Sequence, residues 1–231
     1  MVEIGGKPII AHLMSTYAAA GFEEFVVALG YKQEIIKDYF RSLYATNNDL
    51  TVDFSTGDIE VRERSKLNWK VHLIDTGLST MTGGRIKRLQ SVVGNETFMC
   101  TYGDGLASID VRELLAFHRK AGREATVTAV RPPARFGTLD IEGDRVVQFV
   151  EKPQTSEGWI NGGFFVFEPS VFGRIAGDET LLEHEPLMDL ARDGQLSVFK
   201  HEGFWQPMDT LRDKRHLEDL WASGSPPWVQ S

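Results

Sequence analysis

Thr97-Phe98-Met99-Cys100-Thr101-Tyr102-Gly103-Asp104-Gly105 is the stretch on which the fold turns. A short, continuous apolar run that stops at a Gly-Asp-Gly turn predicts a buried strand over 97–102. A strand of that kind belongs to a sheet with helices on its faces. Upstream, 25–29 is another unbroken apolar run, again read as a strand buried on both faces, while 50–54 and 69–75 also read as strands. Helical spacing of Ile9, Leu13, Met14 and Tyr17 predicts a helix over 8–20, with Pro8 at its first position. Helices are also predicted over 33–44 and 85–93, and a further one, capped by Asp110, runs to about Lys120. Alternating strands and helices imply right-handed crossovers and a parallel sheet. The chain is read as opening directly in a turn and a helix, with no strand before them.

The second half is richer in strands, at 125–130, 138–141, 145–150, 160–167 and 196–200. Gly143-Asp144 is a hairpin turn between two of them. Helices are expected over 187–192 and 209–222. No linker, repeat or low-complexity stretch divides the chain, so 1–231 reads as one α/β domain. With 231 residues, 42% of them hydrophobic, the chain has enough apolar surface for a sizeable core and is not a disordered or disulfide-stapled type. One cysteine, Cys100, cannot form an internal disulfide and reads as an apolar filler. A net charge of −8 argues against a general nucleic-acid binder. No apolar run approaches the ~18 residues of a membrane span. The start lacks the pattern of a secretory signal.

In open α/β sheets, ligands bind at the carboxyl ends of the strands, where Gly103-Asp104-Gly105 stands. A carboxylate between glycines suits Mg²⁺ shared with substrate phosphates, although Asp and Gly are also ordinary turn residues. Glu151-Lys152-Pro153 offers a cation for phosphate and an acceptor for hydroxyls, or else a solvated pair at a strand end. Asn161-Gly162-Gly163 offers an amide with room beside it, or else a bulge. Asp209 is a second metal carboxylate or the N-cap of the last helix. Ser79-Thr80-Met81-Thr82-Gly83-Gly84-Arg85 has backbone N–H groups for a nucleotide, or is a surface loop. The sequence holds no P-loop, no dinucleotide fingerprint, no nucleophile elbow and no zinc spacing.

Each motif is weak alone, but their order is specific. Gly5-Gly6-Lys7-Pro8-Ile9 comes first, followed by Asp75-Thr76-Gly77, Met81-Thr82-Gly83-Gly84-Arg85 and Tyr102-Gly103-Asp104-Gly105. Glu151-Lys152-Pro153, Asn161-Gly162-Gly163-Phe164-Phe165 and Phe204-Trp205-Gln206-Pro207-Met208-Asp209-Thr210 complete the series. The whole chain thereby resembles the sugar-phosphate nucleotidyltransferases, and the loop at 79–85 resembles that of their cytidylyltransferase branch. The resemblance implies a Rossmann-like, three-layer α/β fold with a mostly parallel mixed sheet. It implies that CTP and α-D-glucose 1-phosphate react to give CDP-glucose and diphosphate. By position, Asp104 and Asp209 would hold Mg²⁺, with Asp104, Lys152 and Asp209 the catalytic group. Lys152 would hold the sugar phosphate, and Glu151, Asn161 and Gly162 would meet the sugar hydroxyls. Thr80, Arg85 and Gly103 would line the nucleotide site. A cytoplasmic homo-oligomer serving O-antigen sugar supply is the family expectation.

The family also begins with a strand, a Gly-Gly-x-Gly-Thr-Arg-Leu loop and a Pro-Lys-Pro, which these 231 residues do not contain; the favoured expectation is that Met1 is internal to a longer protein, the alternative a genuinely shortened chain. The expectation is a sheet lacking its first strand, with exposed edges, and poor turnover by the 231-residue chain. A non-catalytic sugar-phosphate-binding module and a transferase using UTP or dTTP are the alternatives.

Overall fold

The computed structural model describes residues 1–63, 67–132, 138–142, 145–150 and 158–229. The chain opens on a two-residue hairpin, β1 (Glu3–Ile4) with β2 (Lys7–Pro8), and not directly in a helix. Pro8 is the N-cap of α1 (Ile9–Ala19), whose Ile9, Leu13, Met14 and Tyr17 are buried as their spacing predicts. Next come β3 (Glu24–Leu29), α2 (Gln33–Thr46) and the hairpin β4 (Asp49–Val52) with β5 (Ile59–Glu63). β6 (Lys70–Asp75) pairs parallel with β3. α3 (Thr82–Arg88) begins three residues before the expected start, and α4 (Gln90–Val93) follows it.

The central sheet is built from the strand quoted at the outset, β7 (Phe98–Thr101). After it come β8 (Gly105–Ala107), α5 (Val111–Ala121) and β9 (Ala125–Val130). β10 (Thr138–Glu142) and β11 (Arg145–Val150) pair antiparallel, and the turn expected at Gly143-Asp144 lies outside the described residues. β12 (Ile160–Phe167), a 3-10 turn at Pro169–Arg174, α6 (Glu185–Arg192) and β13 (Leu196–His201) follow. The chain ends in β14 (Trp205–Pro207) and α7 (Leu211–Ala222). The order of the main sheet is β13-β9-β12-β7. β13 runs parallel to β9, and β12 runs antiparallel to both β9 and β7. Three of the four strands therefore share one direction.

β12 shows why the fold has three layers. Phe164 and Val166 belong to a core shared with α1, α5 and α7, whereas Phe165 and Phe167 belong to a second core shared with Ile86 of α3 and Leu190 of α6. Successive side chains on a strand face opposite ways, so a strand apolar at every position must be covered on both sides. β3 departs from that expectation. Its residues 25–27 are only half-buried, because β6 pairs with it on one side alone among the described residues. β7 likewise has β12 as its single strand partner among the described residues.

Candidate active site

β7 delivers Tyr102-Gly103-Asp104 to the carboxyl end of the sheet, and β8 then turns away to pair antiparallel with β14, Gly105 opposite Pro207. The Met208 N–H donates to the Asp104 carbonyl at 2.7 Å, which closes the ladder. Asp209 is the next residue, so two acidic side chains 105 positions apart arrive at one edge (209 − 104). Asp104 is exposed, yet the protein packed around its carboxyl, and then the negative charge of Asp209, hold its pKa above the ordinary carboxylate value. A Cβ placed on Gly103 would meet nothing within 4 Å, so this corner faces open space. A cleft of about 460 Å³ lies beside Asp209 and is lined by Met1, Val2, Glu3, Met208, Thr210, Leu211 and Lys214.

Asp209 is not the N-cap of the last helix. Thr210 is: its Oγ1 accepts from the Asp213 N–H at 3.2 Å, and the Asp213 carboxylate accepts from the Thr210 N–H at 3.0 Å. This reciprocal box leaves Asp209 outside the cap, on the side of Asp104.

Asn161-Gly162-Gly163 forms the bulge that was its bland reading, since the pairing of β12 with β9 shifts register between Asn161 and Phe165. Gly163 has φ +78°, and a Cβ there would come within 2.8 Å of the Tyr102 ring. The Gly163 N–H donates to Asn161 Oδ1 at 2.9 Å, and Asn161 Nδ2 donates to the Tyr102 hydroxyl at 3.4 Å. The Gly162 carbonyl accepts from Trp205 Nε1 at 2.9 Å, which ties the turn to β14 and so to Asp209.

The loop at 79–85 is built differently from its sequence reading. The Gly83 and Gly84 N–H groups, expected to face a ligand, both donate to the Thr180 carbonyl at 2.9 and 3.2 Å. Arg85 points its guanidinium inward, donating to the Leu29 carbonyl at 3.0 Å and to Thr76 Oγ1 at 2.7 Å. It braces the ends of β3 and β6 and does not present its charge outward. Thr80 is buried beside Gly77. Glu151 and Lys152 lie outside the described residues. Glu183 was not signalled by the sequence: it sits in an irregular loop, accepts from Thr82 Oγ1 at 2.7 Å and accepts from the Tyr102 hydroxyl. Burial pushes the Glu183 carboxyl up, but these two hydrogen bonds, with a backbone hydrogen bond and the neighbouring His184, together leave the pKa below its ordinary value. Burial pushes the Cys100 thiol up to about 12, in keeping with an inert filler.

A mixed sheet with a carboxylate pair at its strand ends places the molecule among the α/β folds whose ligands bind at that edge. The family model for nucleotidyl transferase matches residues 1–205, and the chain belongs to that family. Glucose-1-phosphate cytidylyltransferase of Salmonella typhi is 49% identical over 229 residues, covering 99% of this chain and 89% of the relative. Probable glucose-1-phosphate cytidylyltransferase of Bacillus subtilis (strain 168) is 43% identical over 226 residues, covering 97% and 88%. Among solved structures, HddC from Yersinia pseudotuberculosis superposes with a TM-score of 0.65 at 21% identity, over 96% of this chain and 88% of that one, which shows the shared fold.

Proposed function

We propose that this nucleotidyltransferase joins CTP and α-D-glucose 1-phosphate to make CDP-glucose and diphosphate. The observation that carries the reading is the meeting of Asp104 and Asp209 across the β8–β14 ladder. The choice of substrates is supported by the similarity to the Salmonella typhi cytidylyltransferase.

A phosphate oxygen of the sugar phosphate attacks the α-phosphorus of CTP in line with the departing diphosphate. Such a transfer needs no protein nucleophile, only positioning and charge neutralisation. Asp104 and Asp209 are hard oxygen donors; burial, and then the charge of Asp209, raise the pKa of Asp104, and a divalent cation would relieve the repulsion between the two carboxylates. Among the described residues no larger His, Cys, Asp or Glu cluster stands ready for a metal. Two carboxylates, with phosphate oxygens and water completing the shell, suit Mg²⁺, which when bound neutralises charge on the transferring phosphates. Lys152 supplies the cation for the sugar phosphate, and Glu151, Asn161 and Gly162 address the sugar hydroxyls. Gly103 leaves room for the nucleotide, and Thr80 and Arg85 support the wall beside it. A cytoplasmic setting, a homo-oligomer and a place in O-antigen sugar supply accompany this reading through the family resemblance alone. None of the described helices is long and apolar enough to cross a membrane.

The test is diphosphate release with glucose 1-phosphate and a panel of CTP, UTP, dTTP, GTP and ATP. Turnover by the 231-residue chain is expected to be low for want of the Gly-rich loop and to prefer CTP, and Asp104→Asn and Asp209→Asn each lower kcat further by about 10²–10³, the scale for removing one transition-state electrostatic contact. Preference for UTP or dTTP overturns the base assignment. Glucose 1-phosphate binding without turnover on any triphosphate makes the chain a binding module.

A further inference from the structure

Residues 178–183 lie alongside the loop that enters α3 and are stitched to it. The Met81 N–H donates to the Asp178 carbonyl at 2.8 Å, the Gly83 N–H to the Thr180 carbonyl at 2.9 Å and the Leu182 N–H to Thr82 Oγ1 at 2.9 Å. Arg88 grips both Asp178 carboxylate oxygens, at 2.8 and 2.5 Å. Glu183 ends this stretch. One of its oxygens takes the Thr82 hydroxyl and the other takes the Tyr102 hydroxyl. A carboxylate is acceptor-only, with one oxygen for each partner, and its charge strengthens both bonds.

Tyr102 is placed to carry this contact onward. Its N–H donates to the Gly163 carbonyl at 2.9 Å, its ring lies where a Gly163 side chain would be, and its hydroxyl accepts from Asn161. Thr82, the first residue of α3, stands on the proposed nucleotide side, and Asn161 stands in the turn of the proposed sugar side. Glu183 is therefore two hydrogen bonds from Asn161 and one from Thr82, and it bonds Tyr102, two positions before Asp104. We propose that Glu183 is a positioning residue that ties segment 80–84, where α3 begins, to turn 161–163 through Tyr102, so that filling one half of the site orders the other. This rests on the substrate assignment made above. A link of this kind is a coupling free energy between two sites, and it is reciprocal.

The experiment compares the parent chain with Glu183→Ala, Glu183→Gln and Tyr102→Phe. The affinity of a CTP analogue with a methylene between its α- and β-phosphorus is measured by calorimetry, with and without saturating glucose 1-phosphate. The parent binds the analogue about tenfold more tightly when the sugar phosphate is present, within the usual range of coupled sites. Glu183→Ala and Tyr102→Phe lose that enhancement, and Glu183→Gln, which can still bridge two hydroxyls, keeps most of it. Hydrogen exchange on the ligand-free variants gives a second readout: Glu183→Ala exchanges faster in both 80–84 and 161–163. An unchanged enhancement in Glu183→Ala overturns the proposal, as does faster exchange in only one of the two segments. Should Glu183→Ala fail to fold, full enhancement in Tyr102→Phe overturns it. A parent that binds neither ligand overturns the substrate assignment and the coupling of substrates, while the exchange data still decide whether Glu183 ties the segments.

Discussion

Gly84 and Gly103 look alike in the sequence, each a small residue beside a candidate nucleotide contact, and the structure separates them. A Cβ on Gly84 would fall 2.5 Å from the Asp178 carbonyl oxygen and 2.6 Å from its Cα. Both are backbone atoms, held further by the Arg88–Asp178 pair, so they do not yield cheaply. Gly84→Ala should therefore lower stability by about 1–3 kcal/mol, the usual scale of overpacking, read as a lower urea midpoint. Gly103→Ala adds its methyl to open space and should leave that midpoint unchanged while raising the KM for the nucleotide. The sequence placed both glycines in candidate nucleotide contacts. It could not show that Gly84 instead packs backbone on backbone, because the other side of that contact lies 94 residues on (178 − 84).

At the scale of elements, local signals were read well and long-range pairings were not. The cap at Asp110 is as expected, because a cap is a contact within three residues: Asp110 accepts from the Arg112 and Glu113 N–H groups, and Gly122 closes the helix in the left-handed conformation at φ +62°. The last helix shows the limit of the same logic. Asp209 had two readings in the sequence, N-cap or metal carboxylate, and the cap turns out to be Thr210. The deciding interaction is the return bond from Asp213, which Gln206 Nε2 also holds at 3.1 Å. Thr210→Ala removes one half of the box and should cost about 1 kcal/mol. In a chain of this size that lowers the thermal midpoint by about 2–4 °C, measured by circular dichroism. Because Asp209 enters the site from the same turn, turnover should fall along with the cap, whereas a change on the exposed surface of α7 should leave turnover intact. β8 and β14, three residues each, were invisible in the sequence, since no periodicity can be read from so short a strand. Yet their pairing is what brings Asp104 and Asp209 together.

Across the whole molecule, the opening hairpin and the closing segment meet at His12. The imidazole is buried on α1 between the opening hairpin and the closing segment. Its Nε2 is 2.8 Å from the Ile4 carbonyl, and its Nδ1 accepts from Trp228 Nε1 at 3.3 Å. Trp221 and Trp228 meet the ring edge-on, and the Gly5 N–H donates to Glu218 at 2.9 Å beside it. An imidazole that accepts at Nδ1 and donates at Nε2 is neutral, and a second proton would set N–H against the tryptophan N–H. Burial lowers the pKa of His12; the Ile4 carbonyl and Glu218 oppose that shift, and Lys7 adds to it. The folded value thus lies below the unfolded value of about 6.5. Above pH ~6.5 both states hold a neutral ring, and the full contribution to stability is present. As the pH falls below that value the unfolded chain takes up a proton that the folded chain refuses, and stability is lost progressively toward the folded pKa. The urea midpoint of the parent should therefore drop between about pH 7 and pH 5. His12→Gln, which retains a donor and an acceptor but does not titrate, should start from a lower midpoint and show a shallower fall over the same range. The remaining carboxylates and histidines are common to both proteins and cancel in the difference between the two curves. Parallel curves would mean that His12 keeps its ordinary pKa in the folded chain, and that the contact between the two ends is insensitive to its charge.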